Sequence, residues 1–183
     1  MKLIETSFEG LLVIEPKVHA DSRGYFFESY NKRILGNSGI HIEFVQDNQS
    51  RSQKGSLRGL HFQKPPHAQT KLVSVLSGLI QDVVVDLRKG QPTFGKYFSI
   101  DLSSENKSQL LVPKGFAHGF LVLSEWAEVL YKCDDYYYPE TEGGVAYNDP
   151  ALGIEWKAGA GSLILSGKDQ QHPEWKTLKT IDF

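Results

Sequence analysis

The sequence predicts an all-β fold, a sandwich or a barrel with short helices. Most of the strongly patterned segments alternate with a period of two and are rich in Val, Ile, Tyr and Phe. Turn-forming residues recur between these segments, at a spacing that is typical of many short strands. A chain of 183 residues can bury a core without help from disulfides or metals. We therefore expect residues 1–183 to form a single domain.

The strand pattern recurs along the whole chain. The predicted strands are residues 11–14, 24–30, 43–49, 58–63, 71–76, 79–87, 98–102, 109–112, 118–123, 129–133 and 162–165. Helical signals are weak, and we predict one short helix at residues 31–35 and a turn at residues 149–152, with Pro150 near its start. Residues 167–183 are polar with scattered aromatic residues, and they are predicted to lie as a strap over the surface.

The pair Ser77-Gly78 separates two of the most apolar predicted strands. Glycine can adopt the positive φ that tight hairpin turns require. We therefore predict a β-hairpin over residues 71–87.

Composition excludes several classes of partner. The chain has 20 basic and 22 acidic side chains, a formal net charge of -2, so it lacks the broad basic field of a nucleic-acid-binding protein. No run approaches the roughly 18 apolar residues of a membrane span. Cys133 is the only cysteine, and the first residues lack the apolar core of a secretion signal, so we expect a cytoplasmic protein. An anionic ligand would have to be held by a few local cations.

Alternation along the strands places several ionisable residues among apolar ones. Lys71 shares a face with Val73 and Val75, so its ammonium lies in line with residues that should be buried. Arg58 and His61 have opposite parity in a regular strand. If both side chains reach one site, the intervening Gly59 must mark a bulge or a bend.

The most informative feature is a set of unlike ionisable groups at or near strand positions, namely His61, Lys71, His118, Tyr131 and Asp169. Their types suit proton abstraction beside a carbonyl. That reaction needs a base near neutrality, a cation for the enolate oxygen, and an acid on the other face of the carbon. A carboxylate such as Asp169 could fix the tautomer of a histidine base such as His61.

Each of these residues also has a purely structural interpretation. A single histidine on a strand is more often a satisfied core or surface group than a catalytic base, and this applies to His61 and His118. Lys71 could extend to solvent at a strand end, Tyr131 could be a core residue, and Asp169 could be a solvated loop charge. The sequence alone does not show that these side chains touch.

A metal site is an alternative, because many small β-barrels bind a metal through clustered histidines. His61 is followed two residues later by Gln63, where a metal-binding pair needs a second imidazole, and Cys133 alone cannot form a thiolate site. No glycine-rich phosphate loop or nucleophile elbow is present. We therefore expect no metal and no organic cofactor. The other histidines are expected to have no catalytic role: His19, His41, His67 and His172.

A series of motifs extends from residue 21 to residue 169. The strongest is LRGLHFQ at residues 57–63, followed by Pro65-Pro66, Gln69 and KLV at 71–73. The others are DSRG at 21–24 with Phe26 and Glu28, QDN at 46–48, VDLR at 85–88, PKGFAHGF at 113–120, YK at 131–132, DYY at 135–137, NDP at 148–150 and KD at 168–169. In content and order these motifs resemble those of the dTDP-4-dehydrorhamnose 3,5-epimerase family.

The resemblance implies a cupin-type jelly roll or β-barrel that binds no metal and assembles as a homodimer. It also implies inversion of C3 and C5 of dTDP-4-dehydro-6-deoxy-D-glucose through an enolate, which gives dTDP-4-dehydro-L-rhamnose for dTDP-L-rhamnose biosynthesis. The expected partners are thus the dTDP-sugar substrate and a second copy of the chain.

The resemblance also implies roles for individual residues. The family's base falls on His61, supported by Asp169, its enolate-stabilising lysine on Lys71 and its proton donor on Tyr131, with Tyr137 lining the same cavity. The implied substrate-binding residues are Arg23, Phe26, Glu28, Gln46, Asp47, Asn48, Arg58, His118, Glu142 and Lys168. Of these, residues 23–28 are expected to reach across the dimer interface.

Three other functions stay open at this point. An enzyme of the same fold could invert only C3 or only C5, and it would share all of these motifs. A non-catalytic barrel could bind sugar nucleotides without proton exchange, although binding alone requires neither a base nor an acid. A metal-dependent cupin oxygenase is disfavoured by the missing ligand pattern.

Overall fold

The computed structural model describes residues 1–159, 163–178 and 183. Its strands are, in chain order, β1 (Lys2–Glu5), β2 (Leu12–Glu15), β3 (His19–Asp21), β4 (Gly24–Phe26), β5 (Gln46–Gln53), β6 (Leu57–Gln63), β7 (Lys71–Ser77), β8 (Leu79–Asp86), β9 (Tyr97–Ser103), β10 (Gln109–Val112), β11 (Phe116–Val122), β12 (Trp126–Cys133) and β13 (Glu142–Gly144). The helices are α1 (Lys32–Asn37) and α2 (Trp175–Leu178), with short 3₁₀ helices at Pro139–Thr141 and Asp169–Gln171.

The strands form two antiparallel sheets and one ribbon. The six-stranded sheet has the order β1-β2-β10-β7-β12-β5, and the five-stranded sheet has the order β13-β6-β11-β8-β9. Strands β3 and β4 pair only with each other as a two-stranded ribbon. Because neighbours within each sheet come from distant parts of the chain, the topology is that of a jelly roll. The predicted all-β, cupin-type fold is confirmed.

The main core lies between the two sheets. It combines Val73 and Val129 from the six-stranded sheet with Ile80, Val84 and Phe120 from the five-stranded sheet, all of them buried. Alternate residues point away from this core and enter two further clusters. One covers the outer face of the five-stranded sheet and the other the outer face of the six-stranded sheet. Both faces of β8 are covered, so all of its residues after Leu79 are buried, including the polar residues Gln81, Asp82 and Asp86.

Most of the predicted strands are present, and the strand at 109–112 has the predicted bounds. The strand predicted at 43–49 lies later, at β5, because a polar edge strand carries little hydrophobic pattern. The strand predicted at 24–30 ends at Phe26. The short strands β1, β3 and β13 were not predicted, because each has only three or four residues.

The strand predicted at 162–165 is wrong for the residues that can be checked. Ser162 lies outside the described residues, and Ile164 forms only an isolated parallel bridge with Ser56. The C-terminal strap is confirmed in part: Trp175 is buried against the five-stranded sheet, and the ring of Phe183 contacts that of Phe62. Residues 179–182 of the strap lie outside the described residues.

The predicted hairpin over residues 71–87 is wrong. Strand β7 pairs with β10 and β12, whereas β8 pairs with β11 and β9, so the chain crosses between the sheets at Gly78. Gly78 does have the predicted positive φ, of 84°. A Cβ there would lie 2.1 Å from the Trp126 carbonyl oxygen, so glycine is needed for a tight corner against β12. The single glycine between β7 and β8 therefore forms a corner between the two sheets instead of a hairpin turn.

Both predicted local structures outside the sheets are confirmed. Helix α1 begins after Asn31, whose side-chain oxygen accepts hydrogen bonds from the backbone N–H groups of Arg33 and Ile34. The turn at residues 149–152 is closed by a hydrogen bond from the Leu152 N–H to the Asp149 carbonyl, at 3.1 Å. No helix among the described residues is long and apolar enough to cross a bilayer.

Candidate active site

A cavity of about 520 Å³ opens between the two sheets and contains most of the predicted catalytic residues. The five-stranded sheet contributes Arg58 and His61 from β6 and His118 from β11, and the six-stranded sheet contributes Lys71 from β7 and Tyr131 from β12. The segment 164–169 closes one side. A second cavity of about 210 Å³ adjoins the first and shares His61, Lys71, Tyr131 and Glu142 as lining residues.

The predicted irregularity at Gly59 is confirmed. The pairing of β6 with β11 shifts register between His118 and Phe120, which face His61 and Arg58 respectively. Gly59 has a φ of 117°, and a Cβ there would lie 2.6 Å from the Cα of Gly119. A bulge of this kind re-aims side chains. It places both Arg58 and His61 in one cavity, although their parity in a regular strand is opposite.

His61 forms a hydrogen-bonded pair with Asp169. Its Nε2 lies 2.6 Å from Oδ1 of the carboxylate, which is buried at the start of the 3₁₀ helix Asp169–Gln171. An ionised carboxylate only accepts hydrogen bonds, so Nε2 carries the proton and Nδ1 keeps a free lone pair. Burial lowers the pKa of His61, although Asp169 opposes that shift, and Lys71 and His172 lower it further. The imidazole is therefore available as an uncharged base.

Lys71 and Tyr131 lie on the opposite wall from His61. The Lys71 ammonium is 5.8 Å from the centre of the Tyr131 ring, and no described residue forms a hydrogen bond or an ion pair with it. Burial lowers the pKa of Lys71, while the nearby Cys133, Asp82 and Glu142 act in the opposite direction. Burial also raises the pKa of Tyr131, so its phenol keeps its proton. The wall thus presents one cation and one weak acid.

Tyr137, Glu142 and Lys168 form a hydrogen-bonded network at the rim. The Tyr137 hydroxyl donates to Glu142 Oε2 at 2.5 Å, and the Lys168 ammonium pairs with the same oxygen. The bond to Glu142 raises the pKa of Tyr137 to about 12. Burial acts to raise the pKa of Glu142, but the hydrogen bonds from Lys168 and Tyr137 outweigh it, and the net shift is downward. Tyr137 is therefore held as a neutral phenol.

Two further cationic or ionisable groups line the cavity on the side of the five-stranded sheet. His118 is buried and its Nε2 lies 2.9 Å from Asp82 Oδ2. Arg58 is exposed to the cavity, and its Nε donates to the Ser52 hydroxyl at 2.9 Å. A guanidinium has five N–H donors, so Arg58 can still contact an anion.

Strand β5 carries the three predicted binding residues Gln46, Asp47 and Asn48. Gln46 and Asn48 line the smaller cavity and hydrogen-bond to each other at 3.0 Å. Asp47 has the opposite parity and pairs instead with Lys132 at 2.9 Å. The structure therefore brings Gln46 and Asn48 to the site, and it places Asp47 on the other face of its strand.

The predicted binding residues Arg23, Phe26 and Glu28 do not line either cavity of their own chain. Arg23 is 88% exposed in its side chain and pairs with the neighbouring Asp21 at 2.6 Å. Phe26 is 68% exposed, and Glu28 accepts a hydrogen bond from Asn31. Arg23 directly precedes β4, Phe26 ends it, and Glu28 follows it, so all three lie on or beside the β3–β4 ribbon.

His172 contacts the site, although sequence analysis assigned it no catalytic role. Its Nε2 lies 3.4 Å from Asp169 Oδ1, and its ring meets that of His61 edge to face at 5.2 Å. The spacing of three residues from Asp169 was the available signal, because such residues are neighbours on a helical turn. That signal needed a helix at 169–171, which was not predicted.

His61, Asp169 and His172 offer three ligand atoms within 4.8 Å of one another, so a metal must be considered. The His61 to Asp169 distance of 2.6 Å is that of a hydrogen bond. Two ligands of a tetrahedral zinc ion lie about 3.3 Å apart when each bond is about 2.0 Å long. The geometry therefore fits a proton shared between base and carboxylate better than a metal centre.

Comparison with known proteins agrees with this geometry. The sequence model of one family, dTDP-4-dehydrorhamnose 3,5-epimerase, matches residues 5–177. The chain belongs to this family. Fold, family and enzyme class are thus as the sequence predicted.

Individual relatives extend the comparison. A dTDP-4-dehydrorhamnose 3,5-epimerase of Salmonella typhimurium is 53% identical over 157 residues, which cover 85% of this chain and 86% of that protein. The epimerase of Legionella pneumophila, solved in complex with dTDP-4-keto-L-rhamnose, is 51% identical with a TM-score of 0.91, covering 99% and 94% of the two chains. A 3′-monoepimerase of Streptomyces bikiniensis, solved with dTDP-quinovose, is 33% identical with a TM-score of 0.87, covering 94% and 87%.

Proposed function

We propose that this epimerase inverts C3 and C5 of dTDP-4-dehydro-6-deoxy-D-glucose and so forms dTDP-4-dehydro-L-rhamnose, a step of dTDP-L-rhamnose biosynthesis. The observation that carries the proposal is the His61–Asp169 pair, with its 2.6 Å bond, facing Lys71 and Tyr131 across one cavity. The C4 ketone acidifies the hydrogens on both neighbouring carbons. A base, a cation and an acid around one sugar ring are what such a reaction needs.

His61 is proposed to remove the proton. Its Nδ1 lone pair takes the hydrogen of C5 while the C–H electron pair moves to form the enolate. Asp169 supports the imidazolium that results, because its carboxylate accepts the Nε2–H bond at 2.6 Å. The same steps at C3 complete the double inversion after His61 has returned its proton to solvent and Tyr131 has taken up a proton from solvent.

Lys71 is proposed to stabilise the enolate oxygen and Tyr131 to return a proton. Lys71 is suited to this role because no described residue pairs with its ammonium, which leaves its donors available to the substrate. His61 and Tyr131 come from different sheets, and so from opposite walls of the cavity. Removal of a proton from one face and delivery to the other inverts the carbon.

The diphosphate is proposed to lie near Arg58, with His118 beside it on the neighbouring strand. Both line the larger cavity together with Lys168 at its rim. Arginine presents planar donors that match phosphate oxygens. The sugar then lies where the two cavities meet, because His61, Lys71 and Tyr131 line both of them.

We also propose a homodimer in which residues 23–28 reach the partner's cavity. Tyr25 and Phe26 are 59% and 68% exposed and are adjacent on the ribbon, and a cluster of exposed large apolar side chains is typical of an interaction surface. Arg23 and Glu28 lie beside them and line no cavity that contains His61. The cytoplasmic location stays a prediction.

The deciding experiment follows chelator-treated enzyme and dTDP-4-dehydro-6-deoxy-D-glucose in deuterated water by NMR. Deuterium incorporation and inversion at both C3 and C5 is the expected result. Inversion at one carbon would instead assign a monoepimerase, a reaction that the Streptomyces bikiniensis relative makes plausible. Binding without exchange would leave only a sugar-nucleotide-binding protein, and activity lost to the chelator but restored by a metal would contradict side-chain catalysis.

A further inference from the structure

Asp169 faces two imidazoles through a single oxygen atom. Its Oδ1 lies 2.6 Å from Nε2 of His61 and 3.4 Å from Nε2 of His172. The two rings meet edge to face, with their centroids 5.2 Å apart. Any change in the charge of His172 therefore acts at short range on both members of the His61–Asp169 pair.

The His172 ring is held in a slot that its surroundings form. Its side chain is only 8% exposed. Gly144, which pairs with His61 in the β13–β6 ladder, leaves the space for it: a Cβ at Gly144 would lie 2.3 Å from the ring. The slot therefore fixes the ring next to the catalytic pair.

The polar character of this ring is not explained by packing. Nε2 of His172 is buried and has no hydrogen bond of acceptable geometry with a described residue. An apolar ring would fill the same slot without leaving a buried nitrogen unpaired. The nitrogen lies toward Asp169, which suggests that its charge or its proton matters there.

His172 also has its own access to solvent. It lines a neighbouring cavity of about 540 Å³, which shares Glu142 and Lys168 with the cavity beside His61 but which His61 and Asp169 do not line. His172 can therefore be approached from a side other than the one that the sugar is proposed to occupy. The influence of His172 should persist in the enzyme–substrate complex.

We propose that His172 is a positioning residue that shares the Asp169 carboxylate with His61 and thereby controls how readily His61 accepts a proton. This inference rests on the proposed roles of His61 and Asp169. A protonated His172, with its Nε2 3.4 Å from Oδ1 of Asp169, would offset part of the negative charge that supports the His61 imidazolium, and it would place a like charge beside that imidazolium. Both electrostatic effects keep His61 unprotonated at lower pH.

Other charged groups also face the pair, from several elements. They are Lys71, Glu142 with Lys168, His118 with Asp82, and Arg58. Because these groups stay in place when only His172 is changed, a difference between wild type and variant reports His172 itself.

The test compares His172→Phe, which fills the slot without a donor or a charge, with His172→Gln, which keeps a donor but never titrates. The protonation midpoint of His61 is measured by NMR of ¹⁵N-labelled imidazole, and the pH profiles of kcat/KM and kcat are recorded. In His172→Phe we expect the protonation midpoint of His61 to rise by roughly half a pH unit or more. The acidic midpoints of the kcat/KM and kcat profiles should rise by the same amount, with KM unchanged. His172→Gln should give a rise in the same direction, because it also removes the charge. The control His41→Phe, at an exposed histidine, should give none.

An unchanged His61 midpoint in both folded variants would overturn the inference. If His172→Phe fails to fold, His172→Gln decides by the same measure: a rise supports sharing of Asp169, and no rise refutes it. His61→Gln separates this outcome from failure of the proposed function. Full turnover by His61→Gln would remove the proposed function, whereas its inactivity together with an unchanged midpoint would remove only the role of His172.

Discussion

Burial shifts the pKa values of Lys71 and Tyr131, the two donors on the six-stranded sheet, in opposite directions. It lowers the pKa of Lys71, whose charged form is the protonated one, and it raises the pKa of Tyr131, whose charged form is the deprotonated one. As pH rises, the ammonium therefore loses its proton at lower pH than usual, while the phenol keeps its proton beyond the usual pH. Lys71 should limit activity on the alkaline side.

The pH profile provides a prediction for Lys71. We expect kcat/KM of the wild type to fall with an alkaline midpoint below 10.5, the ordinary pKa of lysine. The arginine of Lys71→Arg keeps its charge up to about pH 12. The remaining activity of this variant should therefore not fall at the alkaline midpoint seen in the wild type. Tyr131→Phe serves as the comparison and should keep the limb. The same alkaline midpoint in wild type and Lys71→Arg would exclude Lys71 as the titrating group.

Tyr131→Phe should separate proton removal from inversion. His61 remains as the base, so exchange of the substrate hydrogens with deuterated water should continue, while inversion should fall by about 10² to 10⁴-fold. His61→Gln should abolish both. Parallel loss of exchange and inversion in Tyr131→Phe would show that Tyr131 does more than donate a proton.

The chemistry of the site could be predicted from residue types, but its contacts could not. His61, Lys71 and Tyr131 are unlike ionisable groups on apolar strands, and that pattern indicated proton abstraction. The bond between His61 and Asp169 joins residues 108 positions apart, which no spacing rule reaches. His172 was missed for the same reason, because its role depends on a slot beside Gly144 rather than on its neighbours in sequence.

At the scale of the element, the bulge in β6 is the feature that assembles the site. Gly59 permits it through both its positive φ and the close approach of Gly119. Without the bulge, Arg58 and His61 would point to opposite faces of the sheet. The strand therefore brings together the proposed phosphate-binding group, Arg58, and the proposed base, His61, which a regular strand would separate.

Gly59→Ala tests this role against a matched control. Gly90 also has a positive φ, of 87°, but an added Cβ there meets nothing within 4 Å. Gly90→Ala should lower the free energy of unfolding by about 1 kcal/mol through backbone strain alone. Gly59→Ala adds overlap with Gly119 and should lower it by about 3 kcal/mol or more, with loss of activity. Urea denaturation measures both, and equal losses would contradict the packing argument.

Strand positions could be predicted from alternation, whereas strand partners could not. The pattern of β7 and β8 was interpreted correctly, but the two strands enter different sheets. Hydrophobic alternation predicts which face of a strand is buried, but it does not predict which other strands pair with that strand. The shortest strands, such as β13, escaped detection because three residues cannot establish a period.

At the scale of the whole molecule, the ribbon of β3 and β4 is hydrogen-bonded to neither of the two large sheets. Its aromatic residues Tyr25 and Phe26 are 59% and 68% exposed. A dimer in which this ribbon completes the partner's site would explain why predicted binding residues lie away from their own cavity.

Mixing two inactive variants tests that arrangement. Phe26→Ala should lose most of its activity by weaker substrate binding, and His61→Gln should lose it by lack of the base. Reassociation of the two from denaturant should restore about a quarter of wild-type activity, because half of the dimers then contain one intact site. Trp126→Ala, at another exposed aromatic residue, should be active alone. No recovery, or a monomer by ultracentrifugation, would exclude a shared site.

The crossing at Gly78 also affects how the chain reaches its folded state. Because β7 and β8 separate there, both sheets are formed by strands that are remote in sequence: Leu12 on β2 pairs with Leu111 on β10 in the six-stranded sheet, and Leu57 on β6 pairs with Leu121 on β11 in the five-stranded sheet. Folding speed falls as contacts become more distant in sequence. During refolding, far-ultraviolet dichroism should therefore recover before catalysis. Turnover would then report the completed fold, since the contact between His61 and Asp169 joins residues that are 108 positions apart in the chain.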